Sequence, residues 1–101
     1  MSTDFIGQYV IVRCRDAGVH AGKLVSRQGR ECVLSNSRRL DRFYCAKGDS
    51  LTAVALYGIE EKPGTRIGGE LPLIMLTENC EIIPCSEKAQ ETIERAKEYM
   101  P

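Results

Sequence analysis

Residues 6–35, IGQYVIVRCRDAGVHAGKLVSRQGRECVLS, decide the fold of this chain. Ile6–Cys14 is rich in β-branched and aromatic residues, which indicates a strand. Two shorter apolar runs, Lys23–Arg27 and Glu31–Ser35, follow as strands, and Gln28-Gly29 is predicted as the hairpin turn between them. Because the three strands follow one another closely, the sequence predicts a three-stranded antiparallel meander.

The segments next to these strands carry turn and cap signals. Asp16–Gly22 contains two glycines and is predicted as the loop between the first and second strands. Leu51–Tyr57 has apolar residues at helical spacing, with Asp49 or Ser50 as the N-cap and Gly58 as the C-cap. The sequence therefore predicts a short helix here, and a short strand is the alternative.

The second half of the chain begins with a loop. Residues 60–70 contain several glycine and proline positions and are predicted to be irregular. The apolar segments Leu73–Thr77 and Cys80–Ile83 are predicted as two further strands. Pro72 and Pro84 bound them, because proline stops a central strand from extending.

The last predicted element is a helix that begins at Ser86. Its acidic residues lie near its N-terminal end and its basic residues near its C-terminal end, which matches the helix dipole. Its apolar stripe is Ala89, Ile93, Ala96 and Met100. Because this stripe is narrow for a core helix, we expect the helix to pack loosely or to contact a partner chain.

Together these elements predict a small β-rich α+β domain. With 101 residues the chain is one domain, in which residues 1–85 form a β-rich core and residues 86–101 form a C-terminal helix. Closing a five-stranded sheet on itself hides its edges. We therefore expect an SH3-like, partly open barrel with one short helix besides the C-terminal one.

The composition excludes several classes of protein. Hydrophobic residues make up 43% and charged residues 28%, as in globular domains. No apolar run approaches the roughly 18–20 residues of a membrane span. Met1–Asp4 lacks the basic and apolar regions of a signal peptide. We therefore expect a cytoplasmic protein that does not bind membranes.

The five cysteines and the single histidine do not form a metal-binding pattern. No C-x-x-C pair is present, whereas structural zinc needs four clustered Cys or His ligands. Cys14, Cys32 and Cys80 lie among aliphatic residues, where a thiol behaves as a small hydrophobic side chain. The sequence predicts reduced core cysteines, no metal and no cofactor, and reduced thiols fit the cytosol.

Motifs of enzymes are also missing. The sequence has no P-loop, no G-x-G-x-x-G after a strand, no H-E-x-x-H and no G-x-S-x-G. One histidine excludes multi-histidine metal centres and disfavours acid–base catalysis. We therefore expect a protein without catalytic residues.

The net charge of zero conceals an uneven distribution. Residues 1–50 carry nine Lys and Arg against five Asp and Glu, and residues 51–101 carry five against nine. Arginine presents a planar fork that suits phosphate and carboxylate groups. The cationic half is either a solvated face balanced by the acidic half or one of two complementary patches that meet between subunits.

The meander predicts that basic residues gather at one end of the sheet. There the end of the first strand lies beside the start of the second, and the basic segment after the third strand begins nearby. The flanking glycines allow backbone N–H groups to approach an anion, and an aromatic side chain offers a face for a base. The candidate ligand-binding residues are Arg13, Arg15, His20, Lys23, Arg38, Arg39, Arg42 and Tyr44.

Four segments carry a resemblance to a known group of proteins. They are I-G-x-x-V-x-V-R from Ile6, A-G-V-H-x-G-x-L from Ala17, G-x-x-V-x-L with the Arg38-Arg39 pair, and E-I-I-P-C from Glu81. With these segments the chain resembles a family of small uncharacterised proteins encoded by bacteriophages and prophages. The resemblance implies a phage origin and the cytosol of a bacterial host, and it implies no established activity.

These observations predict a non-catalytic protein that binds a small anionic nucleotide, with the basic edge near the interface of a homo-oligomer. By analogy with small phage proteins, the nucleotide is a host immune signal that the protein sequesters. A nucleic-acid-binding barrel is the first alternative, which the zero net charge disfavours. A phage assembly or protein-interaction component is the second.

Overall fold

The computed structural model describes residues 4–48 and 50–100. Apolar, β-branched runs form its strands, and two capped segments form its helices. In chain order the elements are β1 (Tyr9–Cys14), β2 (Val19–Gln28), β3 (Glu31–Arg42), α1 (Leu51–Tyr57), β4 (Arg66–Ile67), β5 (Leu71–Leu76), β6 (Asn79–Pro84) and α2 (Glu87–Arg95). The prediction of a small β-rich α+β domain is confirmed.

The predicted meander is present in strands β1, β2 and β3, which pair in antiparallel fashion. Two of its boundaries differ from the prediction. β2 begins at Val19, so residues 19–22 of the predicted Asp16–Gly22 loop belong to the sheet. The hairpin turn is Gly29-Arg30 rather than Gln28-Gly29, because Gln28 still pairs with Glu31. Gly29 takes the positive φ of 59° that the first turn residue needs here.

Strand β3 is longer than predicted. It continues past Ser35 to Arg42, although the added residues are mostly polar. Its first part pairs with β5 and its last part pairs with β4, where Leu40 lies opposite Ile67. Asn36, with a positive φ of 51°, lies near the end of the part that pairs with β5, between Ser35 and Ser37. Along its edge away from β2, β3 thus pairs first with β5 and then with β4. The segment 60–70, which was predicted to be an irregular loop, contains β4.

The sheet has the order β4-β3-β2-β1-β6, and β5 pairs with β3 outside this path. It is an open antiparallel sheet of six strands rather than the predicted five. β5 and β6 each pair with one neighbour, so both are edge strands. Because an edge strand tolerates proline, Pro72 lies inside β5 and Pro84 ends β6. Pro72 was predicted to precede its strand.

The two faces of the sheet bury separate apolar clusters. One face is covered by the helices and buries the cluster Tyr9, Ile11, Ala21, Leu40, Cys45, Ala53, Val54, Ala55, Ile59, Ile67, Ile93 and Ala96. The opposite face buries the cluster Val10, Val12, Cys14, Leu24, Cys32, Leu34 and Leu76, against which Phe5 packs. Alternate residues of β1 therefore serve different cores, which explains why this strand is apolar on both sides.

Helix α1 has the predicted caps. The Ser50 hydroxyl accepts a hydrogen bond from the Ala53 N–H at 3.1 Å, and Gly58 ends the helix with a φ of 86°. These observations confirm the helix and exclude the alternative strand. Asp49, the other predicted N-cap, lies outside the described residues.

Helix α2 begins at the predicted cap but ends earlier than expected, at Arg95. Ala89 and Ile93 are fully buried and Ala96 is nearly so, whereas Met100 is 73% exposed. The narrow stripe therefore packs on the core of its own chain, and the prediction of loose packing is wrong. Two of the three buried side chains, Ala89 and Ala96, are small, so α2 can lie close to the sheet. Three apolar positions are therefore enough to pack this helix on the core. Neither described helix has the length and apolar character needed to cross a membrane.

The five cysteines are all free. Cys32 is buried as predicted, and burial raises the pKa of its thiol to about 11. Burial also raises the pKa of Cys85 to about 12. Cys80 was predicted to be a core residue, but it is exposed because it lies on the edge strand β6. Within the described ranges, no group of His, Cys, Asp and Glu side chains is arranged to hold a metal ion.

Candidate functional site

The predicted site residues of the meander lie on both faces of the sheet. Residues directly opposite one another on paired strands share a face. Val12, His20 and Arg39 form one such row, and Val12 belongs to the core opposite the helices. The neighbouring row ends in Arg38, on the face that the helices cover. The Arg38-Arg39 pair is therefore split between the two faces of the sheet.

Arg38 is inside the protein, with 4% of its surface exposed. Its Nε donates a hydrogen bond to the Gly68 carbonyl at 2.8 Å, and its Nη1 donates to the Ile93 carbonyl at 2.9 Å. The same Nη1 also lies within hydrogen-bond distance of the carbonyls of Glu94 and Ala96. These carbonyls accept the hydrogen bonds that the Arg38 guanidinium was predicted to donate to a phosphate. Arg38 is therefore a structural residue.

His20 is likewise buried, with 1% exposure. Its Nε2 lies 2.9 Å from the Ala17 carbonyl, a geometry in which the Nε2–H tautomer donates a hydrogen bond. Burial lowers the pKa of the imidazole from its usual 6.5, and the nearby Arg39 guanidinium lowers it further. An enclosed imidazole whose charged form is disfavoured does not face an incoming anion. The predicted ligand role of His20 therefore has no support in this geometry.

The other predicted residues are spread around the molecule. Arg13 pairs with Glu81 at 3.4 Å, and the N–H of the exposed Arg15 donates to the Glu78 carbonyl at 3.0 Å. Lys23 lies at a separate hollow of about 210 Å³, near α2. The eight residues therefore do not converge on one edge.

Arg42 and Tyr44 lie farther along the chain, near β4. The exposed Arg42 ends β3 opposite Arg66, so two cations are neighbours there. The Lys62 ammonium lies 4.4 Å from the centroid of the Tyr44 ring. This cation–π contact takes up the ring face that was predicted to stack on a base.

A different hollow, of about 430 Å³, joins three segments that are distant in the sequence. The tip of the β2–β3 hairpin reaches the start of β6, where the Asn79 N–H donates to the Arg30 carbonyl at 2.8 Å. The N-terminal segment closes a third side. The lining residues are Asp4, Phe5, Arg27, Gly29, Asn79, Cys80, Glu81 and Ile82. Its volume falls in the range of about 300–1,000 Å³ that is typical of small-molecule sites.

The lining of this hollow combines a cation, an aromatic ring and an unpartnered amide. Arg27 is exposed, and Phe5 is half-buried. The Asn79 Oδ1 is buried and has no hydrogen-bond partner among the described residues, while its Nδ2 lies 3.5 Å from the Cys14 sulfur. A buried acceptor without a partner costs about 1–3 kcal/mol. The amide oxygen is therefore an unpaired acceptor enclosed beside the hollow.

Acidic residues also border the hollow, and both carboxylates have other interactions. Glu81 is the ion-pair partner of Arg13. Asp4 accepts a hydrogen bond from the Ile6 N–H at 3.0 Å. Arg13, one of the predicted site residues, therefore belongs to the surroundings of this hollow through Glu81.

The sequence contained a signal for part of this hollow. Arg27 and Arg30 flank Gly29 at a hairpin tip, a position where a flexible backbone and two cations coincide. Phe5 and Asn79 carried no comparable signal, because they approach the hairpin only through the curvature of the sheet.

The comparisons with known proteins identify the family. Residues 7–93, which contain the six strands and most of α2, match one family model. No curated protein and no solved structure matches the chain. The chain belongs to the family described as a domain of unknown function, DUF6948.

Proposed function

We propose that this protein binds a small anionic nucleotide, without catalysing its conversion, in the 430 Å³ hollow between the hairpin tip and β6. The observation that carries this proposal is a hollow that presents a guanidinium and an aromatic ring and is lined by Asn79, whose buried Oδ1 has no partner. These are the three kinds of group that recognise the parts of a nucleotide.

Each lining group has a role in this proposal. The Arg27 guanidinium makes charge-assisted hydrogen bonds to a phosphate, which are among the strongest polar contacts in proteins. The Phe5 ring stacks on the base. When the Asn79 amide turns toward the hollow, its Oδ1 accepts a hydrogen bond from a base amino group or a ribose hydroxyl. Gly29, with no atom within 4 Å of where its Cβ would lie, leaves the backbone open to the ligand.

A narrower proposal concerns the biological role. The resemblance to phage and prophage proteins supports a phage origin and a nucleotide that serves as a host immune signal. Binding alone would then be sufficient, since sequestration removes the signal.

We also propose that the sheet forms an SH3-like barrel, because the last strand, β6, pairs with the first strand, β1.

Calorimetry with a panel of cyclic di- and trinucleotides and cyclic ADP-ribose isomers tests the proposal. We expect at least one ligand to bind more tightly than about 1 mM, which corresponds to about 4 kcal/mol. Arg27→Ala should weaken that binding about tenfold or more, since it removes a charged hydrogen bond. Arg42→Ala is the matched control, because Arg42 is an exposed arginine outside the hollow. If no ligand binds, or if both variants weaken binding equally, the proposal is wrong.

Cys80 provides a second readout in the same hollow. It is the exposed cysteine of the five, so an alkylating reagent should modify it before the three buried ones. A bound nucleotide should slow this reaction, and mass spectrometry of the modified peptide measures the rate. Unchanged Cys80 modification at saturating nucleotide would place the ligand elsewhere.

Gel shifts at two salt concentrations distinguish the alternative of a nucleic-acid binder, whose affinity should fall steeply with salt.

A further inference from the structure

The hollow of about 210 Å³ near α2 lies where this helix meets the sheet. Tyr9 and Lys23 are directly opposite one another on β1 and β2, so their side chains share the face that the helices cover. Gln90 and Glu94 are four residues apart on α2 and therefore lie on one side of the helix. The full lining is Gly7, Tyr9, Lys23, Asn36, Gln90 and Glu94. Two strands, one helix and two nearby residues thus bring polar side chains together.

Tyr9 forms the floor of this hollow. It is 7% exposed, whereas the other lining residues are half-buried or exposed. Its hydroxyl oxygen is buried and has no hydrogen-bond partner among the described residues. Burial raises the pKa of this hydroxyl above its usual 10, and the Glu94 carboxylate raises it further. The hydroxyl therefore stays protonated beside Glu94, where it can both donate and accept a hydrogen bond.

Lys23 and Glu94 place opposite charges at the mouth of the hollow. Both residues are exposed, and the ion pairs among the described residues include neither of them. The Lys23 ammonium offers three N–H donors, and the Glu94 carboxylate offers only acceptors. An ammonium and a carboxylate that line one hollow without pairing are complementary to a molecule that carries both charges.

The groups around the mouth decide which charge of a ligand goes where. Asn36 donates a hydrogen bond from its Nδ2 to the Glu70 carboxylate at 3.0 Å, so a second acid lies beside the hollow. The buried Arg38 guanidinium is already bound to main-chain carbonyls. An anionic group of a ligand therefore has Lys23 as its partner, and a cationic group has Glu94. This balance disfavours a purely anionic ligand such as a nucleotide.

We propose that the 210 Å³ hollow binds a free α-amino acid as its zwitterion. The ligand carboxylate binds the Lys23 ammonium, and the ligand ammonium donates to the Glu94 carboxylate and to the Tyr9 hydroxyl oxygen. Lys23, Gln90 and Glu94 have long, flexible side chains, so they can turn toward the ligand and uncover the hydroxyl. The volume is below the range of about 300–1,000 Å³ that larger ligands occupy, which suits an amino acid with a small side chain.

This inference does not depend on the nucleotide proposal, because the two hollows share no lining residue. Arg27→Ala, which should weaken nucleotide binding, should leave amino acid binding unchanged. The failure of one proposal is therefore distinguishable from the failure of the other.

Calorimetry with free amino acids that have small side chains tests the ligand class. We expect at least one of them, such as alanine, serine or threonine, to bind more tightly than about 1 mM. Its carboxamide lacks the carboxylate and its N-acetyl derivative lacks the ammonium, so each should bind about tenfold more weakly or worse. No binding by any of these amino acids would leave the hollow to water and overturn the proposal. Equal binding of either blocked derivative would overturn the zwitterion as the ligand.

Charge-removing variants test the two partners in the mouth. Glu94→Gln and Lys23→Gln should each weaken binding about tenfold or more, since each removes a charge-assisted hydrogen bond. Glu91→Gln and Lys88→Gln are the matched controls, because both residues are exposed on α2 outside this hollow. Equal losses in the controls would overturn the site.

Tyr9→Phe separates binding from a structural role. The change removes a hydroxyl that has no partner in the protein, so urea unfolding of the free protein should show an unchanged or higher midpoint. Amino acid binding should nevertheless weaken about fivefold. Unchanged affinity in this variant, or a lower unfolding midpoint without a loss of affinity, would overturn the role of the hydroxyl.

Discussion

At the level of single residues, the surroundings of His20 favour its neutral imidazole over the charged form. It lies in the core between Val12 and Arg39, and its Nε2–H donates to the Ala17 carbonyl. Burial disfavours the charged imidazolium, and the Arg39 guanidinium adds to this effect, so the pKa lies below the usual 6.5. The unfolded chain therefore takes up the proton at a higher pH than the folded protein does.

The stability of the protein should consequently fall in mildly acidic solution. Because the pKa of His20 is lower in the folded state, its contribution is complete above about pH 6.5 and is lost as the pH falls toward the folded pKa. Urea unfolding at about pH 7.5 and about pH 5.5 measures this loss, since most carboxylates stay ionised in this interval. His20→Gln, which cannot titrate, should show a smaller difference between the two conditions. An equal difference in wild type and variant would contradict the assignment to His20.

The wrong assignments of Arg38 and His20 to a ligand site have one cause. Neighbouring residues of a strand point to opposite faces, so one member of the Arg38-Arg39 pair had to point inward. Which member it is depends on the positions of the helices and on the irregularity near Asn36, and neither can be read from local sequence. His20 alternates with Gly22 and Leu24 on a face that proved to be buried. Conversely, Phe5 and Asn79 meet only in the folded sheet.

At the level of elements, the pairing of β2 with β3 depends on Gly22. A Cβ at this position would lie 2.9 Å from the Ser35 carbonyl oxygen and 3.1 Å from the Ser37 Cα, so both closest atoms belong to the backbone. The register of the two strands shifts between Ala21 and Lys23, at the same place. The absence of a side chain thus allows the backbone of β3 to lie close to β2 at this register shift.

Gly22→Ala should therefore destabilise the protein. Overpacking of this kind costs about 1–3 kcal/mol, since the backbone of β3 would have to move. Urea unfolding should show a lower midpoint with an unchanged slope. The control is Gly68→Ala, whose Cβ would come no closer than 3.4 Å to Arg39. Equal stability of the two variants would mean that the strands separate here without cost.

The predicted elements differ in how strongly local sequence specifies them. The helices were predictable because serine caps, a C-cap glycine and helical spacing act within a few residues. The end of β3 was not, since Asn36–Arg42 is polar and becomes a strand through partners distant in sequence, β4 and β5. Local patterns determine short elements, whereas sheet partners determine how far a long strand continues.

At the level of the whole molecule, one buried arginine connects the helix layer to the sheet. Arg38 belongs to β3, yet it binds carbonyls at the C-terminal end of α2 and also the Gly68 carbonyl. A helix end leaves its last carbonyls without partners inside the helix and attracts a positive charge. The uneven charge of the chain is thus partly internal, because a cation from the basic half completes a helix of the acidic half.

Removing this connection should weaken the entire fold. Arg38→Ala would leave the Ile93 and Ala96 carbonyls without this donor in the interior, which we expect to cost about 2–4 kcal/mol. Arg39→Ala is the matched control, because the adjacent residue is exposed and its loss should change stability by about 0.5 kcal/mol or less. Urea unfolding monitored by circular dichroism measures both values. Arg38→Lys separates charge from geometry: one ammonium cannot reproduce the planar fork that reaches Gly68 and α2 together, so most of the loss should remain. Wild-type stability in Arg38→Ala would show that α2 is held by its apolar residues alone.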